Sequence, residues 1–306
     1  MSMTSPWPAL DYDAWSATCD TLHAHTQVLG KLAAELAPPE PQLQHAALRL
    51  TARGWESLAL PAPDGSGTLV VALDLHGHEA VAEHSDGRAR RVALTPDRPV
   101  GAVTRELLDA VRGLSGAVEI DPTPQEVPWS VPLDEDDEHT TYDTGQVSAY
   151  LAAATQAALV LAAFRAPYRG RSTPVNAWWG SFDLAVNLFS GQPAQPPSDD
   201  FIMRNAMDAQ EVAIGWWPGD PRYDRPRSTP TPIRRLRASV RPKYRLRAHG
   251  GTRAWASTSW TGMTSARRPT RRPPRWSLPA RRSDMPARSA SGPQGSPRAR
   301  LGPRDP

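Results

Sequence analysis

The sequence predicts an α+β domain over about residues 5–226, in which an antiparallel strand meander packs with an N-terminal helix and a long central helix. Three observations support this fold class. Apolar residues recur at helical spacing over residues 13–36, four short strand-like runs follow between residues 46 and 95, and an Ala-rich apolar stretch fills residues 145–166. Strands that are grouped together and flanked by helices are typical of an α+β domain rather than of an alternating βαβ fold.

The N-terminal helix is predicted from both of its ends. Asp11 or Asp13 can accept hydrogen bonds from the free N–H groups of the first turn, and Pro38 and Pro39 end the helix. Its apolar side chains recur every three or four residues and should form one buried stripe, which comprises Trp15, Cys19, Leu22, Leu29, Ala33 and Leu36.

The strand meander is predicted from four short apolar runs and the turns between them. The runs are ALRLTAR (47–53), TLVVALDL (68–75), EAVAEHS (79–85) and ARRVALT (89–95). The turns lie at Asp64–Gly65, Gly77 and Asp86–Gly87, where glycine favours the tight reversals that join antiparallel strands.

The remaining elements of the domain are predicted with the same signals. A second helix is expected over about 99–113, a strand at AVEID (117–121), an acidic Pro-rich segment over 122–144 and the long helix over 145–166, with Thr144 as its cap. Beyond it, WWGSFDLAV is strand-like, 193–199 is a polar loop, and a helical or mixed segment continues to about 214.

The charge of the chain is divided sharply between its two parts. Residues 1–226 carry 15 Lys and Arg against 30 Asp and Glu, a net charge of −15. Residues 227–306 carry 20 against 2, a net charge of +18, which leaves +3 for the whole chain. The acidic domain therefore has no electrostatic attraction to phosphate backbones, and nucleic acid is expected as a partner only non-specifically, through the basic tail.

The cysteine count and the apolar stretches point to a cytoplasmic protein. Cys19 is the one cysteine, so no disulfide can form within the chain, as is usual in a reducing compartment. The N-terminus shows no signal peptide. The most apolar stretch, residues 147–164, is short for a membrane span and contains polar side chains, so we predict a mostly buried helix and no membrane partner.

Several phrases of the first 226 residues resemble a family of uncharacterised bacterial proteins that is classified only as a domain of unknown function. The phrases are WPALDYDAW, TLHAHTQVLGK, LTARG, the acidic segment with Asp136, His139, Tyr142 and Asp143, WGSFDLAVNLFSG and GWWPGDPRY. The resemblance implies a soluble protein of undefined activity and brings no catalytic residue with it. The chain departs from the family before LTARG, where only His45 matches a usual histidine, and at Asn176, where relatives tend to have histidine.

The tail over residues 227–306 is predicted to be a disordered Arg- and Pro-rich segment, and it allows two interpretations. It is either a genuine basic arm or the product of a shifted reading frame. Relatives continue with an aromatic strand similar to AFYAYAYPP, which the shifted frame can encode over residues 226–235. Trp and Met each have a single codon, and both Trp260 and Met263 are followed by Thr. In the shifted frame, the last base of each of these codons and the first two bases of the Thr codon form a codon for Asp. We favour a frameshift near codons 224–227, with loss of a C-terminal strand and helix from the fold and poor solubility as its consequence.

The first group of candidate site residues lies on the N-terminal helix. His23, Gln27 and Lys31 are spaced by four residues and therefore line one helix face. In the functional interpretation His23 is an acid or base, while Gln27 and Lys31 bind a polar ligand. In the structural interpretation the row is a solvated face with one histidine at its edge.

The second group lies in the acidic segment LDEDDEHTTYD (133–143). Asp136, His139 and Asp143 carry the oxygen and nitrogen donors that suit a divalent metal, although their spacing matches no recognised metal motif. His139 is also a candidate acid or base. The alternative is an acidic loop that places negative charge at the start of the next helix.

The third group lies in GRSTPVNAWWGSFDLA. Trp179 can stack on a sugar or base, and Ser181 and Asp183 can form hydrogen bonds with it. Aromatic core packing around a turn at Gly180 is the structural alternative. Ser181 does not lie in the Gly-x-Ser-x-Gly elbow of serine hydrolases, and no phosphate loop, dinucleotide fingerprint or zinc spacing is present.

These residues lead to one functional hypothesis and two alternatives. The first is a protein that binds a small polar ligand in a cleft near His23, Lys31 and the WGSFDLA segment. The second is a hydrolase or isomerase that uses His23 or His139, with a divalent metal as a possible cofactor. The third is a non-catalytic interaction module. No motif of the sequence identifies a substrate or an oligomeric state.

Overall fold

In the computed structural model, the described residues are 7–8, 10–199, 201–220 and 227–233. They form the α+β fold that the sequence predicts, with two antiparallel sheets, a long N-terminal helix and a long central helix. The helices are α1 (Tyr12–Leu36), α2 (Val100–Ser115), α3 (Thr144–Arg165) and α4 (Phe201–Ala206), and a 3-10 helix, η1 (Pro41–Ala46), follows α1.

The first sheet confirms the predicted meander. Its strands are β1 (Arg49–Leu50), β2 (Gly54–Glu56), β3 (Leu60–Pro61), β4 (Thr68–Asp74), β5 (Glu79–His84) and β6 (Ala89–Ala93). The order is β1-β2-β4-β5-β6, with β3 also paired to β4, and every pair is antiparallel. The turn glycines Gly65 and Gly87 have positive φ values of 73° and 92°, the conformation that glycine adopts most readily.

The second sheet has the order β10-β9-β8-β7, again antiparallel throughout. Its strands are β7 (Asn176–Trp178), β8 (Asp183–Pro193), β9 (Ala209–Trp217) and β10 (Arg227–Ile233). The backbones of Leu48 and Ala177 exchange two hydrogen bonds of 2.9 and 3.1 Å, and this bridge connects the chain before β1 to β7.

Four of the predicted elements differ from the structure. WWGSFDLAV is not one strand, because the chain turns between β7 and β8. The segment before residue 214 is mainly the strand β9 after a short α4, and AVEID forms no strand. The run ALRLTAR contributes only β1, because the chain bends at Ala52 and Arg53 before β2.

The backbone of Arg227–Ile233 forms β10, at the place where the sequence predicted the lost strand and the start of a disordered tail. Its register pairs Arg227 with Trp217 and Ile233 with Glu211. Pro230 and Pro232 have no N–H, but they are two residues apart, so both nitrogens lie on the same side of the strand. An edge strand accommodates them when that side faces away from its partner. The rest of the predicted tail, residues 234–306, lies outside the described residues.

The core forms around α1, which is buried over most of its length. Large side chains of α1, the first sheet and α3 meet there, among them Trp15, Trp55 and Tyr150, which are each at most 2% exposed. Phe182, in the turn before β8, stacks on both Trp55 and Tyr150 with ring centroids 5.2 Å apart. Its φ of 55° is unusual for a bulky residue, and the stacked rings hold it there.

α3 buries one face and leaves the other exposed. Its buried residues are Val147, Tyr150, Leu151, Ala153, Ala154, Ala157 and Leu161. Leu159 and Val160 on the opposite side are about 60% exposed, so the helix is less buried than the sequence predicted. Within the described part of the chain, α3 is the one helix that is long and apolar enough to cross a membrane by length and composition alone.

The caps of the two long helices differ from the prediction. Asp143 caps α3, since its carboxylate accepts the N–H of Gln146 at 2.8 Å, and Thr144 is the first helical residue. Asp11 precedes α1, but its side chain makes no cap hydrogen bond.

Candidate functional site

His23 joins α1 to the turn between β7 and β8. Its Nε2 lies 2.9 Å from the carbonyl oxygen of Trp179 and 3.1 Å from that of Gly180. Because both partners are acceptors, Nε2 carries the proton and donates to them. Burial lowers the pKa of His23 to about 4, so the ring is neutral at pH 7. His23 therefore fixes the turn on the helix, and its Nε2 is not available to a substrate.

Gln27, one helical turn further on, ties the acidic Pro-rich segment to α1. Its Oε1 accepts the N–H of Gln125 at 2.9 Å, and its Nε2 donates to the Gln125 carbonyl at 3.0 Å. The Gln27 side chain is fully buried. One side-chain amide thus satisfies both backbone groups of a single loop residue, and its Nε2 also lies 3.4 Å from the His23 Nε2.

Lys31 and Trp179 complete this face of α1. The Trp179 ring lies against Gly30, where an added Cβ would be 2.0 Å from ring atoms, and its Nε1 donates to the Ala46 carbonyl at 3.0 Å. The Lys31 Nζ lies 5.6 Å from the centre of the same ring. Burial lowers the pKa of Lys31 to about 8, and the carboxylate of Asp121 opposes that shift. Lys31 is only 5% exposed, so it does not face an open cleft.

His139 and Asp136 form a dyad in the acidic segment. The His139 Nδ1 lies 2.7 Å from the Asp136 Oδ2, so Nδ1 carries the proton and donates it. The other oxygen of Asp136 accepts the N–H groups of Glu138 and His139, each at 3.0 Å. Asp136 is 1% exposed, whereas the His139 side chain is 16% exposed. The dyad therefore contains an oriented imidazole that is partly exposed to solvent.

The backbone of the acidic segment holds this dyad at the start of α2. The first helical N–H groups of α2 have no partner within the helix. Val100 donates to the carbonyl of His139 at 3.0 Å and Gly101 to that of Asp136 at 2.8 Å. A Cβ on Gly101 would lie 2.9 Å from the Asp136 nitrogen, so glycine permits this close approach.

Trp129 connects the dyad to His23. Its ring centroid lies 4.5 Å from that of His139 and 5.4 Å from that of His23. Trp129 is partly buried. The indole therefore packs between a histidine that is used internally and one that faces outward.

Asp20 and His25 on α1 belong to the same electrostatic environment. Burial raises the pKa of Asp20, and the nearby His139 opposes that shift. Burial lowers the pKa of His25 to about 4, and the carboxylate of Asp136 opposes that shift. Within the described residues, neither the Asp20 carboxylate nor the His139 Nε2 forms a hydrogen bond with another residue.

The turn that His23 holds carries the third group of predicted residues. Ser181 donates from Oγ to the Asp183 Oδ1 at 2.5 Å, and burial raises the pKa of Asp183 to about 6. Gly180 leaves room for Glu126, since an added Cβ would lie 2.6 Å from the Glu126 Oε2. This turn and the acidic segment therefore touch each other as well as α1.

Residues 7–243 match the model of a family of unknown function, DUF5996. The chain belongs to the DUF5996 family. No curated protein and no solved structure matches it. The family resemblance that the sequence suggested is thereby confirmed, and the activity of this DUF5996 chain has to be inferred from its own geometry.

The three residues that the sequence suggested as metal ligands have other partners in this DUF5996 chain. Asp136 and His139 bond to each other, while the carboxylate of Asp143 caps α3. Over the part of the chain that the structure describes, no group of three His, Cys, Asp or Glu side chains is placed to hold a metal ion.

The structure brings the three predicted groups together at α1 but changes their roles. His23, Gln27 and Trp179 are buried and hydrogen-bonded within the protein, and Lys31 is buried beside the Trp179 ring, whereas the His139 side chain is partly exposed. The sequence analysis missed Asp20, His25 and Trp129. The one signal for Trp129 was its position as the single aromatic residue of the Pro-rich segment 122–141. The sequence signal for Asp20 was weaker: it lies three residues before His23, so the two side chains are neighbours on the same helix.

Proposed function

We propose that this DUF5996 chain binds a small polar ligand at the Trp129 site, which we define as Asp20, Trp129, Asp136 and His139. The observation that carries the proposal is the His139 Nε2, which is oriented by Asp136 and has no protein partner among the described residues. The Trp129 ring packs against the His139 imidazole, with ring centroids 4.5 Å apart, and the Asp20 carboxylate lies close enough to stabilise positive charge on that imidazole. The site thus adjoins the predicted His23–Lys31 row rather than coinciding with it.

The chemistry of the Trp129 site favours a ligand that donates hydrogen bonds. Asp20 offers carboxylate oxygens and a neutral His139 offers a lone pair at Nε2, so both accept. An indole face stacks on sugar rings and attracts cations. The net charge of −15 over residues 1–226 disfavours an anion. These features support a neutral polyol or a small amine.

A thermal-shift screen with named compounds tests this proposal. The full chain is heated with a series of amines and polyols, from ethanolamine and choline to glucose and inositol. A ligand at 100 times its Kd should stabilise the fold by about 2.7 kcal/mol, which raises Tm by about 5 °C or more. Isothermal titration calorimetry then measures the Kd of each hit.

Matched variants show whether a hit binds at the Trp129 site. Trp129→Leu and His139→Asn should weaken binding at least about tenfold, the effect of losing one good interaction. Trp7→Leu and His76→Asn are controls, because Trp7 is 53% exposed and His76 lies in the exposed turn after β4. Equal affinity in Trp129→Leu and in Trp7→Leu would contradict the proposed site.

An enzymatic role is the second candidate, and the Asp136–His139 geometry favours it specifically. Asp136 fixes the tautomer that leaves the His139 Nε2 as a base, an arrangement that serves general acid–base catalysis in hydrolases and isomerases. His139 is preferred to His23 in this proposal, since the His23 Nε2 donates to two carbonyls. A ligand from the screen is incubated with the chain and followed by mass spectrometry. Turnover that His139→Gln abolishes supports an enzyme, and binding without turnover supports a binding protein.

A further inference from the structure

Two turns of the first sheet lie side by side, and none of their residues belongs to the Trp129 site. One turn joins β3 to β4, and the other joins β5 to β6. Ser85 donates from its N–H to the Thr68 carbonyl at 2.9 Å, and its Oγ accepts the Thr68 N–H at 3.0 Å. Gly67 permits this contact, because a Cβ there would lie 2.3 Å from the Ser85 Oγ.

Across these turns, a serine, a histidine and an aspartate are connected in series. The Ser66 Oγ lies 3.1 Å from the His84 Nε2, and the His84 Nδ1 lies 3.0 Å from the Asp86 Oδ2. Ser66 is exposed, whereas the His84 side chain is 1% exposed. An accessible hydroxyl therefore rests on a buried imidazole. The other imidazole nitrogen, Nδ1, lies beside the Asp86 carboxylate and also accepts the Asp86 backbone N–H at 3.3 Å.

The carboxylate of Asp86 is itself held in place by Arg88. The Arg88 N–H donates to the Asp86 Oδ1 at 2.9 Å, and the Arg88 Nε donates to Oδ2 at 2.7 Å. A second contact of Arg88, from Nη2 to the Leu114 carbonyl at 2.9 Å, anchors the arginine to the end of α2. The orientation of the imidazole is therefore fixed by a network that extends to the helix.

We propose that Ser66, His84 and Asp86 form a second reactive site, which transfers small acyl groups from esters to water. Ser66 is the nucleophile, His84 is the general base, and Asp86 orients the imidazole. The hydroxyl, the two imidazole nitrogens and the carboxylate lie in the order that this chemistry requires, at distances of 3.1 and 3.0 Å.

Each step of the reaction balances within the site and its substrate. The Ser66 Oγ attacks the ester carbonyl carbon as its proton passes to the His84 Nε2. The bond to the leaving alcohol then breaks, and the alcohol takes that proton from Nε2. Water, deprotonated by the same nitrogen, attacks the acyl-serine, and Nε2 returns that proton to the Ser66 Oγ as the acyl–oxygen bond breaks. Ester and water thus yield acid and alcohol.

The neighbouring glycine offers a donor for the developing oxyanion. In serine hydrolases of the elbow type, the N–H of the residue after the nucleophile serves this purpose. Gly67 follows Ser66 directly, and its N–H makes no hydrogen bond to any other residue that the structure describes. This N–H is therefore available to the carbonyl oxygen of a bound ester.

Asp64 is the competing partner of Ser66. Its Oδ1 accepts the Ser66 N–H at 2.9 Å and the hydroxyl at 2.5 Å. In the resting arrangement the hydroxyl proton lies toward Asp64, and the His84 Nδ1 accepts the Asp86 N–H, so the imidazole proton is on Nε2. His84 acts as the base after this proton moves to Nδ1, beside the Asp86 Oδ2, and the hydroxyl turns about the Cβ–Oγ bond toward Nε2. Asp64 and Asp86 are negative and the turns are exposed, so the site suits small uncharged esters rather than anionic ones.

A fluorophosphonate probe tests the proposal on the full chain. The Ser66 Oγ should displace fluoride from phosphorus, and peptide mass spectrometry should locate the adduct on Ser66. Ser66→Ala should remove the adduct, and His84→Asn should slow labelling about 100-fold or more, as expected when a general base is lost. Ser190→Ala is the matched control, an exposed serine on β8 whose Oγ contacts Gln210.

The test remains decisive if His84→Asn fails to fold. Ser66→Ala changes an exposed turn residue, and Asp86→Asn preserves the size of the side chain, so both variants should fold. A loss of labelling in either variant then reports on the reaction and not on unfolding. Wild-type chain without an adduct, an adduct on another serine, or labelling of Asp86→Asn at the wild-type rate would each overturn the proposal. The network would then serve only to tie the two turns together.

Discussion

Gly30 is the residue on which the arrangement of the candidate site depends most directly. The Trp179 ring occupies the space beside it, and the turn after Trp179 receives the hydrogen bonds of His23. A side chain at position 30 would push the indole away from α1. The turn between β7 and β8 would then lose its packing against α1.

We predict that Gly30→Ala destabilises the fold by about 1–3 kcal/mol or more, because the added Cβ would lie 2.0 Å from ring atoms of Trp179. Gly113→Ala in α2 is the control, since nothing lies within 4 Å of its added Cβ. It should stabilise the fold by up to about 1 kcal/mol, the difference in helix propensity between glycine and alanine. Urea denaturation measures both, and equal effects would refute the packing argument.

At the same scale, sequence reasoning found the positions of α1 residues but not their environments. The four-residue spacing correctly placed His23, Gln27 and Lys31 on one face of the helix. Their burial depends on Gln125 and Trp179, which lie about 100 to 150 residues further along the chain. Periodicity describes a helix face and carries no information about such distant partners.

At the scale of elements, the start of α3 shows which side chain caps the helix. Asp143 accepts the N–H of Gln146, and its negative charge also lies at the positive end of the helix. Asp11 occupies the corresponding position before α1 without a cap hydrogen bond. The two aspartates therefore form a natural comparison.

We expect Asp143→Ala to cost about 0.5–2 kcal/mol of stability, the usual effect of losing an N-cap. Asp11→Ala removes a similar charge but no cap hydrogen bond, so its effect should be smaller. Thermal unfolding of both variants and of the wild type makes the comparison. If Asp11→Ala cost as much as Asp143→Ala, charge alone would explain the stabilisation.

The elements that the sequence predicted well are those with strong local signals. The ends of β4, β5 and β6 lie within two residues of the predicted runs, because alternation and turn residues coincide there. The break between β7 and β8 escaped prediction, since the positive φ of Phe182 is stabilised by rings from distant elements. The strand β9 was missed because its apolar run follows the short α4 without a turn signal.

At the scale of the whole molecule, the change from an acidic sequence before residue 227 to a basic one after it is explained by a shift of the reading frame. We propose that the gene lost one base, or gained two, near codons 224–227. Sequencing the gene tests this directly. The shifted frame should encode a phrase close to AFYAYAYPP over residues 226–235. It should also encode Asp where the codons of Trp260 and Thr261 meet, and again where those of Met263 and Thr264 meet. Restoring the frame should then increase the soluble yield, because an aromatic strand and the elements after it would return. A gene that encodes no aromatic phrase there would refute the frameshift.

The prolines of β10 have a consequence for how one molecule meets another. Strands recruit new neighbours through a row of outward N–H and carbonyl groups, and fibrils extend by repeating that pairing. Within the described residues, β10 is the outer strand of the second sheet, and Pro230 and Pro232 lack the N–H of two alternate residues. If both nitrogens face away from β9, an incoming strand finds no donor at either position. In that orientation the two prolines disfavour edge-to-edge pairing of copies of this chain along β10.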